Sequence, residues 1–360
     1  MKVLVGMSGG VDSTASAIVL SKQGFEVHGA TLPICGGAVD DSAKRACDII
    51  GLPHHIIPIG DLFKRKVIEY FKDSIKAELT PNPCVVCNEL VKLRSIFDYA
   101  IKNNFDLIST GHYAKIVDFE DKFTLSKGSD KKKDQSYMLA RVPEDILKKT
   151  VLPIGFISRA EAEGLVKNLP TTPPSQDACF VTGTINEWIE RQIGLGSPGL
   201  IVDKTGKILG KHTGLRGYTI GQREGIRLGG GPWYVISKNA ERNELTVGHK
   251  DEVQNTEFAV TDLRTLLPLD RFDAYHLTVM TRYRASPVEC EIVDSRLIPS
   301  KLDPVPKTII DLAKQPQITF NSDLARKFFI KTTEPVFAPT PGQFAVFYVG
   351  ECVVGSAIII

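Results

Sequence analysis

The chain has 360 residues, of which 42% are hydrophobic, and a formal net charge of only +2, enough material for two or three domains with full cores. No apolar run approaches the ~20 residues of a membrane helix, and glycines cut the run that starts at Val3, which excludes a signal peptide and predicts a soluble, cytoplasmic protein with no membrane partner. The seven cysteines point to a reducing compartment and to thiol or metal chemistry rather than a disulfide framework. With so small a total charge, any nucleic-acid surface must be local.

Lys2-Val3-Leu4-Val5 predicts a short buried strand. Gly6-Met7-Ser8-Gly9-Gly10-Val11-Asp12-Ser13 follows it, and Thr14 to Leu20 has the small apolar texture of a helix packed on a sheet. Strand, glycine turn and helix together aim backbone N–H groups and a positive helix end at phosphate. Gly6, Gly9 and Gly10 permit close approach, Ser8 and Ser13 add hydroxyls, and Asp12 is placed to help hold Mg²⁺. The loop has no lysine, so it is not the GxxxxGK[ST] loop of kinases. A glycine pair alone would equally suit an ordinary tight turn. The whole string, directly after an N-terminal strand, is far more specific and resembles the pyrophosphate loop of ATP pyrophosphatases that adenylate a carbonyl.

Phe25 to Leu32 predicts a second strand, with Leu32 at the ligand edge of an open α/β sheet or simply in the core. Asp40 to Ile50 predicts a helix stopped by Gly51 and Pro53, and His54 to Ile59 a third strand. Asp61 is a candidate cap for a helix with the apolar stripe Leu62, Phe63, Val67, Ile68, Phe71 and Ile75. Thr80-Pro81-Asn82-Pro83 ends that helix and presents Cys84-Val85-Val86-Cys87 at the start of another. This spacing suits a metal knuckle, a redox pair, a nucleophile whose pKa a helix N-terminus lowers, or two unreactive cysteines. Phe105 to Thr110 predicts a further strand, which delivers Gly111-His112-Tyr113 to the same edge. Lys131-Lys132-Lys133-Asp134-Gln135-Ser136-Tyr137 is either a phosphate-contacting loop or a solvated one. A proline-rich turn, Pro170 to Pro174, leads to Ser175-Gln176-Asp177-Ala178-Cys179-Phe180.

From Gly194 the alternation of strand and helix gives way to short runs divided by glycine and proline, an all-β pattern that sets a boundary near 186. Between 201 and 250 nine Lys/Arg oppose four acids, a local excess of 9 − 4 = +5, where phosphate backbone is expected. A second β module begins near 256, with His276 to Thr281 and Phe344 to Val349 as its clearest strands.

Nine strings in order (Gly6–Ser13, Pro81–Glu89, Gly111–Tyr113, Lys133–Tyr137, Ser175–Phe180, Tyr218–Gly225, Pro232–Val235, Thr281–Arg284 and Thr340–Tyr348) resemble the tRNA-specific 2-thiouridylases of the MnmA family. The resemblance implies an α/β ATP-pyrophosphatase domain with a parallel sheet over 1–185. A small β-rich tRNA-binding domain would cover 186–255, and a C-terminal β-barrel 256–360. It implies thiolation of the wobble uridine at C2, with adenylation of O2 and sulfur from a persulfide or a cluster-bound sulfide. By position, Gly6, Met7, Ser8, Gly9, Gly10, Val11, Asp12, Ser13, Leu32 and Gly111 would bind ATP. Asn82, Pro83 and Cys84 would meet the base, and His112, Lys133, Asp134, Gln135, Arg282, Tyr283 and Gln343 would contact tRNA. Cys87 matches the catalytic cysteine and Cys179 the persulfide-bearing one. ATP and Mg²⁺ are the expected cofactors. The partners are tRNA and a sulfur donor, whether a relay protein, a cysteine desulfurase or inorganic sulfide.

Three departures stand out. Cys84 replaces an aspartate common in the family, the segment after Leu32 is short, and residues 297 to 331 exceed what a compact barrel needs. With Cys84, three thiolates would be available for a 4Fe–4S cluster with one open iron, while zinc and a persulfide on Cys179 are the rivals. Two other readings compete. One is an amidotransferase-type adenylating enzyme, which the β-rich half and the cysteine pair disfavour. The other is a non-catalytic zinc-containing tRNA-binding protein, which the intact glycine loop disfavours.

Overall fold

The computed structural model describes residues 1–34, 41–172, 178–295 and 326–360. Asp40, Ser175-Gln176-Asp177 and most of the expected extra segment lie outside the described residues. The chain divides into two compact units. One comprises Met1–Ile68, Pro83–Phe180 and Tyr348–Gly355; the other comprises Glu69–Asn82, Val181–Phe347 and Ser356–Ile360.

The first unit is built on a parallel sheet of β1 (Lys2–Gly6), β2 (Glu26–Thr31), β3 (His54–Ile56), β4 (Leu107–Thr110) and the two-residue β7 (Thr150–Val151). The spatial order is β3-β2-β1-β4-β7. Val3, Leu4 and Val5 are all fully buried: a parallel sheet is covered on both faces, so its central strand reads as a continuous apolar run. The helix Val11–Lys22 turns Ala17 and Leu20 to a core with Val3, Val5, Val27 and Ala46. Its Ala15 joins a second cluster with Tyr113, Ile154, Ala162 and Val166. A hairpin of β5 (Ala114–Phe119) and β6 (Lys122–Lys127) follows β4, and Ser126 of β6 pairs antiparallel with Cys352.

Most predicted elements of this unit form within a residue or two of expectation, with two corrections. Asp61 is not a cap: the helix starts at Gly60 with Ile59 in the N-cap position, so Asp61 lies inside the first turn. The third strand ends at Ile56 rather than Ile59, because its partner β2 stops at Thr31, which faces Ile56.

The second unit contains the four-stranded sheet β10-β11-β8-β9. Its strands are β8 (Gly199–Val202), β9 (Ile208–His212), β10 (Tyr234–Asn239) and β11 (Glu244–Gly248), around a core of Ile201, Leu215, Ile226, Val235, Leu245 and Val247. A closed barrel follows. It comprises β12 (Gln254–Thr265), β13 (Leu277–Met280), β14 (Val288–Asp294), β15 (Phe328–Phe337), β16 (Phe344–Val349) and β17 (Cys352–Ile359). The order is β12-β15-β14-β13-β16-β17, and a β12–β17 pairing closes it. Closure removes the exposed sheet edges.

One ion pair in the second unit is nearly dry. Lys238 Nζ lies 3.4 Å from Glu78 Oε2 with its side chain only 5% exposed, and Arg216 Nε lies 3.7 Å from Glu78 Oε1. Burial pushes the Glu78 carboxyl up, against the pull of Lys238 and Arg216, and pushes the Lys238 ammonium down. Removing one partner of such a pair leaves an uncompensated charge. Glu78→Ala is therefore expected to destabilise the second unit by about 3 kcal/mol, and Glu78→Leu with Lys238→Met to recover much of that loss. Both tryptophans, Trp188 and Trp233, belong to this unit, so denaturant unfolding followed by tryptophan fluorescence reads the difference directly.

Candidate active site

Parallel pairing aligns the carboxyl ends of β1, β2 and β4 at Gly6, Thr31 and Thr110. The strand order reverses between β1, which leads to β2, and β4, which leads toward β7, and the crevice at such a switch point is where open α/β sheets bind ligands. All three sequence-predicted nucleotide elements follow these ends: the glycine loop after β1, Leu32 after β2 and Gly111 after β4. Leu32 is half-buried, so it is not a core leucine.

In the loop, Gly9 takes a left-handed φ of +76°, and a Cβ there would sit 2.5 Å from Ser42 Oγ. Gly10 is the N-cap of the helix Val11–Lys22 and offers no side chain to it, so the helix's first N–H groups keep the anion-attracting character of an uncapped end. Ser8 N–H donates to Ser13 Oγ at 3.1 Å, and the Ser13 hydroxyl reaches Gly10 O at 3.2 Å. Met7 is 2% exposed and its N–H donates to Ala30 O at 2.7 Å, so it is a core residue that ties the loop to β2. Gly111 is fixed by contact, since a Cβ on it would lie 2.6 Å from Ser13 N and 2.7 Å from Asp12 C. Thr172 N–H donates to Gly9 O at 3.0 Å and edges the loop.

Asp12 does not stand alone in the first helical turn. Its Oδ1 accepts from Tyr113 OH at 2.8 Å and pairs with the Arg159 guanidinium. Arg159 opens the helix Arg159–Leu165, whose Ser158/Glu161 capping box is legible in sequence; nothing in the sequence says that Arg159 returns to the glycine loop. Mg²⁺ bound with substrate phosphates needs only one or two protein carboxylates, and Asp12, with its side chain 38% exposed, fits that requirement.

Cys84 and Cys87 lie in the short helix Pro83–Cys87, which runs into a π-helical turn, Asn88–Lys92, and then the helix Leu93–Lys102. Single π turns recur at functional sites. Cys84 is exposed and Cys87 buried. The thiol pKa expected to fall at a helix N-terminus instead rises: burial pushes Cys87 up to about 11, with Lys92 opposing and the Cys179 and Cys84 thiols adding to the rise. Those couplings bring the three cysteines into one neighbourhood. Among the described residues, however, no three His, Cys, Asp or Glu side chains form a group that could hold a metal ion. The expected three-cysteine metal site is therefore not assembled, and no step is derived through a cluster or zinc. Cys84 is exposed, while Val85, Val86 and Cys87 are buried.

His112 is 7% exposed, and its Nδ1 lies 2.7 Å from Thr110 Oγ1. Burial, reinforced by Lys92, pushes it well below the ordinary histidine value. Asp134 and Gln135 act inward. Asp134 Oδ1 accepts from Gly128 N at 2.9 Å, and Gln135 Oε1 accepts from Tyr113 N at 3.0 Å. They shape the lysine loop and leave Lys133 half-exposed. In the second unit, Arg282 Nη2 donates to Phe337 O at 3.1 Å and Ala338 O at 2.6 Å, Tyr283 lies under Arg284, and Gln343 Nε2 donates to Thr80 O at 2.9 Å. Asn82 is buried and Pro83 half-buried. Of the nine basic residues between 201 and 250, five pair with carboxylates. Lys211, Arg227 and Lys250 are exposed with no salt bridge among the described residues, while the exposed Lys207 donates its N–H to Asp203 Oδ1 at 3.0 Å.

Residues 1–183 match the tRNA methyl transferase HUP domain, 186–249 the tRNA methyl transferase PRC-barrel domain and 313–359 the aminomethyltransferase beta-barrel domain. Among curated relatives, the tRNA-specific 2-thiouridylase MnmA of Acetivibrio thermocellus is 35% identical over 99% of both chains. That of Treponema denticola is 35% identical over 100% of this chain and 98% of its own, and that of Nostoc punctiforme 36% over 99% and 98%. No helix among the described residues is long and apolar enough to cross a membrane.

The buried imidazole has a pH consequence. Because the folded pKa of His112 lies below the unfolded one, the unfolded chain binds the extra proton, and stability falls as pH drops below about 6.5. His54 and His55 shift in the same direction through burial. Denaturant midpoints measured from pH 7.5 to 5 are expected to decline in the wild type and to decline less steeply in His112→Asn.

Proposed function

The chain belongs to the tRNA-specific 2-thiouridylase (MnmA) family, and from that premise we propose that it catalyses ATP-dependent 2-thiolation of the wobble uridine of tRNA. One observation in the first unit carries the reading. The glycine loop, with an uncapped helix end and a carboxylate that could hold Mg²⁺, shares that unit with Cys87 and Cys179.

In this reading the uridine O2 attacks the α-phosphate of ATP, and pyrophosphate leaves into the N–H groups of the loop. Asp12 would hold Mg²⁺, which would supply charge neutralisation on the phosphates. The adenylated O2 is now a leaving group. The terminal sulfur of a persulfide on Cys179 attacks C2, forming C2–S as the C2–O2 bond breaks and AMP departs. The Cys87 thiolate then attacks Cys179 Sγ, breaking the S–S bond. Sulfur stays on C2 as the thiocarbonyl, and a Cys87–Cys179 disulfide forms, which an external thiol reductant reopens. A relay protein or a desulfurase passes sulfur from its own persulfide to Cys179; inorganic sulfide reloads it only by attacking the Cys87–Cys179 disulfide in place of the external thiol, which leaves the persulfide on Cys179 and releases the Cys87 thiolate. The high pKa of Cys87 keeps the thiol protected between turnovers, because a thiol is nucleophilic only as its thiolate.

For the RNA, the half-exposed Lys133 and the exposed Lys211, Arg227 and Lys250 support phosphate contact. Arg282, committed to two carbonyls and stacked 5.2 Å from Phe337, supports a role in shaping the surface it lies on.

Nucleoside mass spectrometry of tRNA incubated with protein, ATP and a sulfur source tests the function. Formation of 2-thiouridine that requires ATP is the expected result, and its absence would sink the proposal. Asp12→Ala is expected to abolish thiolation while leaving tRNA affinity within about twofold, because phosphate handling and RNA docking use different residues.

Lys133→Ala, by contrast, should weaken tRNA binding and reduce the log–log salt slope by about one, with thiolation at saturating tRNA retained. An unchanged slope would remove Lys133 from the RNA surface.

A further inference from the structure

Among the charged side chains of the first unit, Arg159 has a position that the proposed reaction does not explain. It lies 147 residues from Asp12 in sequence, yet its Nη1 pairs with Asp12 Oδ1, the same oxygen that takes the Tyr113 hydroxyl. Its anchorage is thorough. The backbone N–H donates to Asp130 Oδ2 at 3.0 Å, Nε lies 2.7 Å from Glu163 Oε1, and the Ser158/Glu161 capping box fixes the start of its helix. The side chain is only 20% exposed. A guanidinium held so firmly, beside a glycine loop and an uncapped helix of 12 residues, has the planar donor fork that suits phosphate as well as carboxylate.

Asp12 has two claimants. Arg159 and Tyr113 satisfy one of its oxygens. A metal ion arriving with phosphates needs that carboxylate, and a guanidinium released from it meets the phosphates at once. We propose that Arg159 is a phosphate-binding residue of the nucleotide site, which holds Asp12 when the loop is empty and transfers its guanidinium to the β- and γ-phosphates when Mg²⁺ takes Asp12. Tyr113 is the hinge of the exchange: its hydroxyl stays within reach of Asp12, and its backbone is clamped by Gln135 at 3.0 Å and 2.8 Å. The inference rests on reading the loop as a nucleotide site and adds to that reading the residue that neutralises the departing pyrophosphate.

Inorganic pyrophosphate, with Mg²⁺ removed by EDTA, isolates the guanidinium from the metal. Binding is measured by calorimetry on the full chain for the wild type, Asp12→Asn, Arg159→Gln and the double variant. Asp12→Asn frees Arg159 and is expected to tighten metal-free pyrophosphate about tenfold. Arg159→Gln should cancel that gain in the Asp12→Asn background, and Arg159→Lys should keep part of it. If the double variant binds as tightly as Asp12→Asn alone, the gain comes from lost repulsion and the proposal is wrong. It is equally wrong if Asp12→Asn brings no gain while melting curves show all variants folded. A variant that fails to fold is replaced in the comparison by Arg159→Lys, whose retained charge must then give an intermediate affinity. Failure of the underlying reading looks different: the wild type would not bind a non-hydrolysable ATP analogue with Mg²⁺ at all.

Discussion

The parallel register of β1 between β2 and β4 is the constraint on which the site depends. Val3 opposite both Val27 and Leu107, and Gly6 opposite both Ala30 and Thr110, bring three strand ends level. Only then can the backbone after β4 come against the start of the helix after β1, closely enough that Gly111 has no room for a Cβ. The same register lets Tyr113 reach Asp12 and delivers His112 into a buried pocket beside Thr110. A slip of one residue would move every one of these groups to the opposite face.

The thiol chemistry depends on a different balance. A helix start favours thiolate, and burial disfavours it. At Cys87 burial wins, by enough to take the thiol up to about 11 against the pull of Lys92. The Cys87 thiol therefore stays protonated near neutral pH and would become a thiolate only if its surroundings changed. The acidic and basic side chains nearby serve structure as much as chemistry. Glu89 and Arg141 form a nearly dry pair at 3.2 Å behind the π-helical turn, and Asp134 is consumed by its own loop.

Much of this was legible in the chain itself. The apolar run Lys2–Val5, the glycine string and the shift to short strands after Gly194 each have a local physical cause, and each forms where the pattern puts it. What the sequence could not disclose is long-range pairing. Arg159 reads as an ordinary helix start, and no periodicity links it to Asp12. Arg282 and Gln343 carry the polarity of RNA contacts, yet their donors are taken by carbonyls of the second unit. The pKa expectation at Cys87 failed for the same reason, because a helix position is visible in sequence and the packing over it is not. Among the described residues the three cysteines do not form a metal-holding group.

The hairpin β5–β6 finishes the first unit with borrowed chain. Ser126 pairs with Cys352, Thr124 Oγ1 donates to Val353 O at 2.6 Å, and Lys127 lies 4.5 Å over the Tyr348 ring. These contacts close a loop of more than two hundred residues, and such non-local pairings form late and slowly. During synthesis, the nucleotide-binding half therefore emerges first but waits with an open β6 edge until residues 348–355 leave the ribosome. Maturation of this half is thus timed by residues more than two hundred positions downstream, and a ribosome that stalls within the barrel leaves behind a glycine loop without its finished unit and an unsealed strand prone to aggregation.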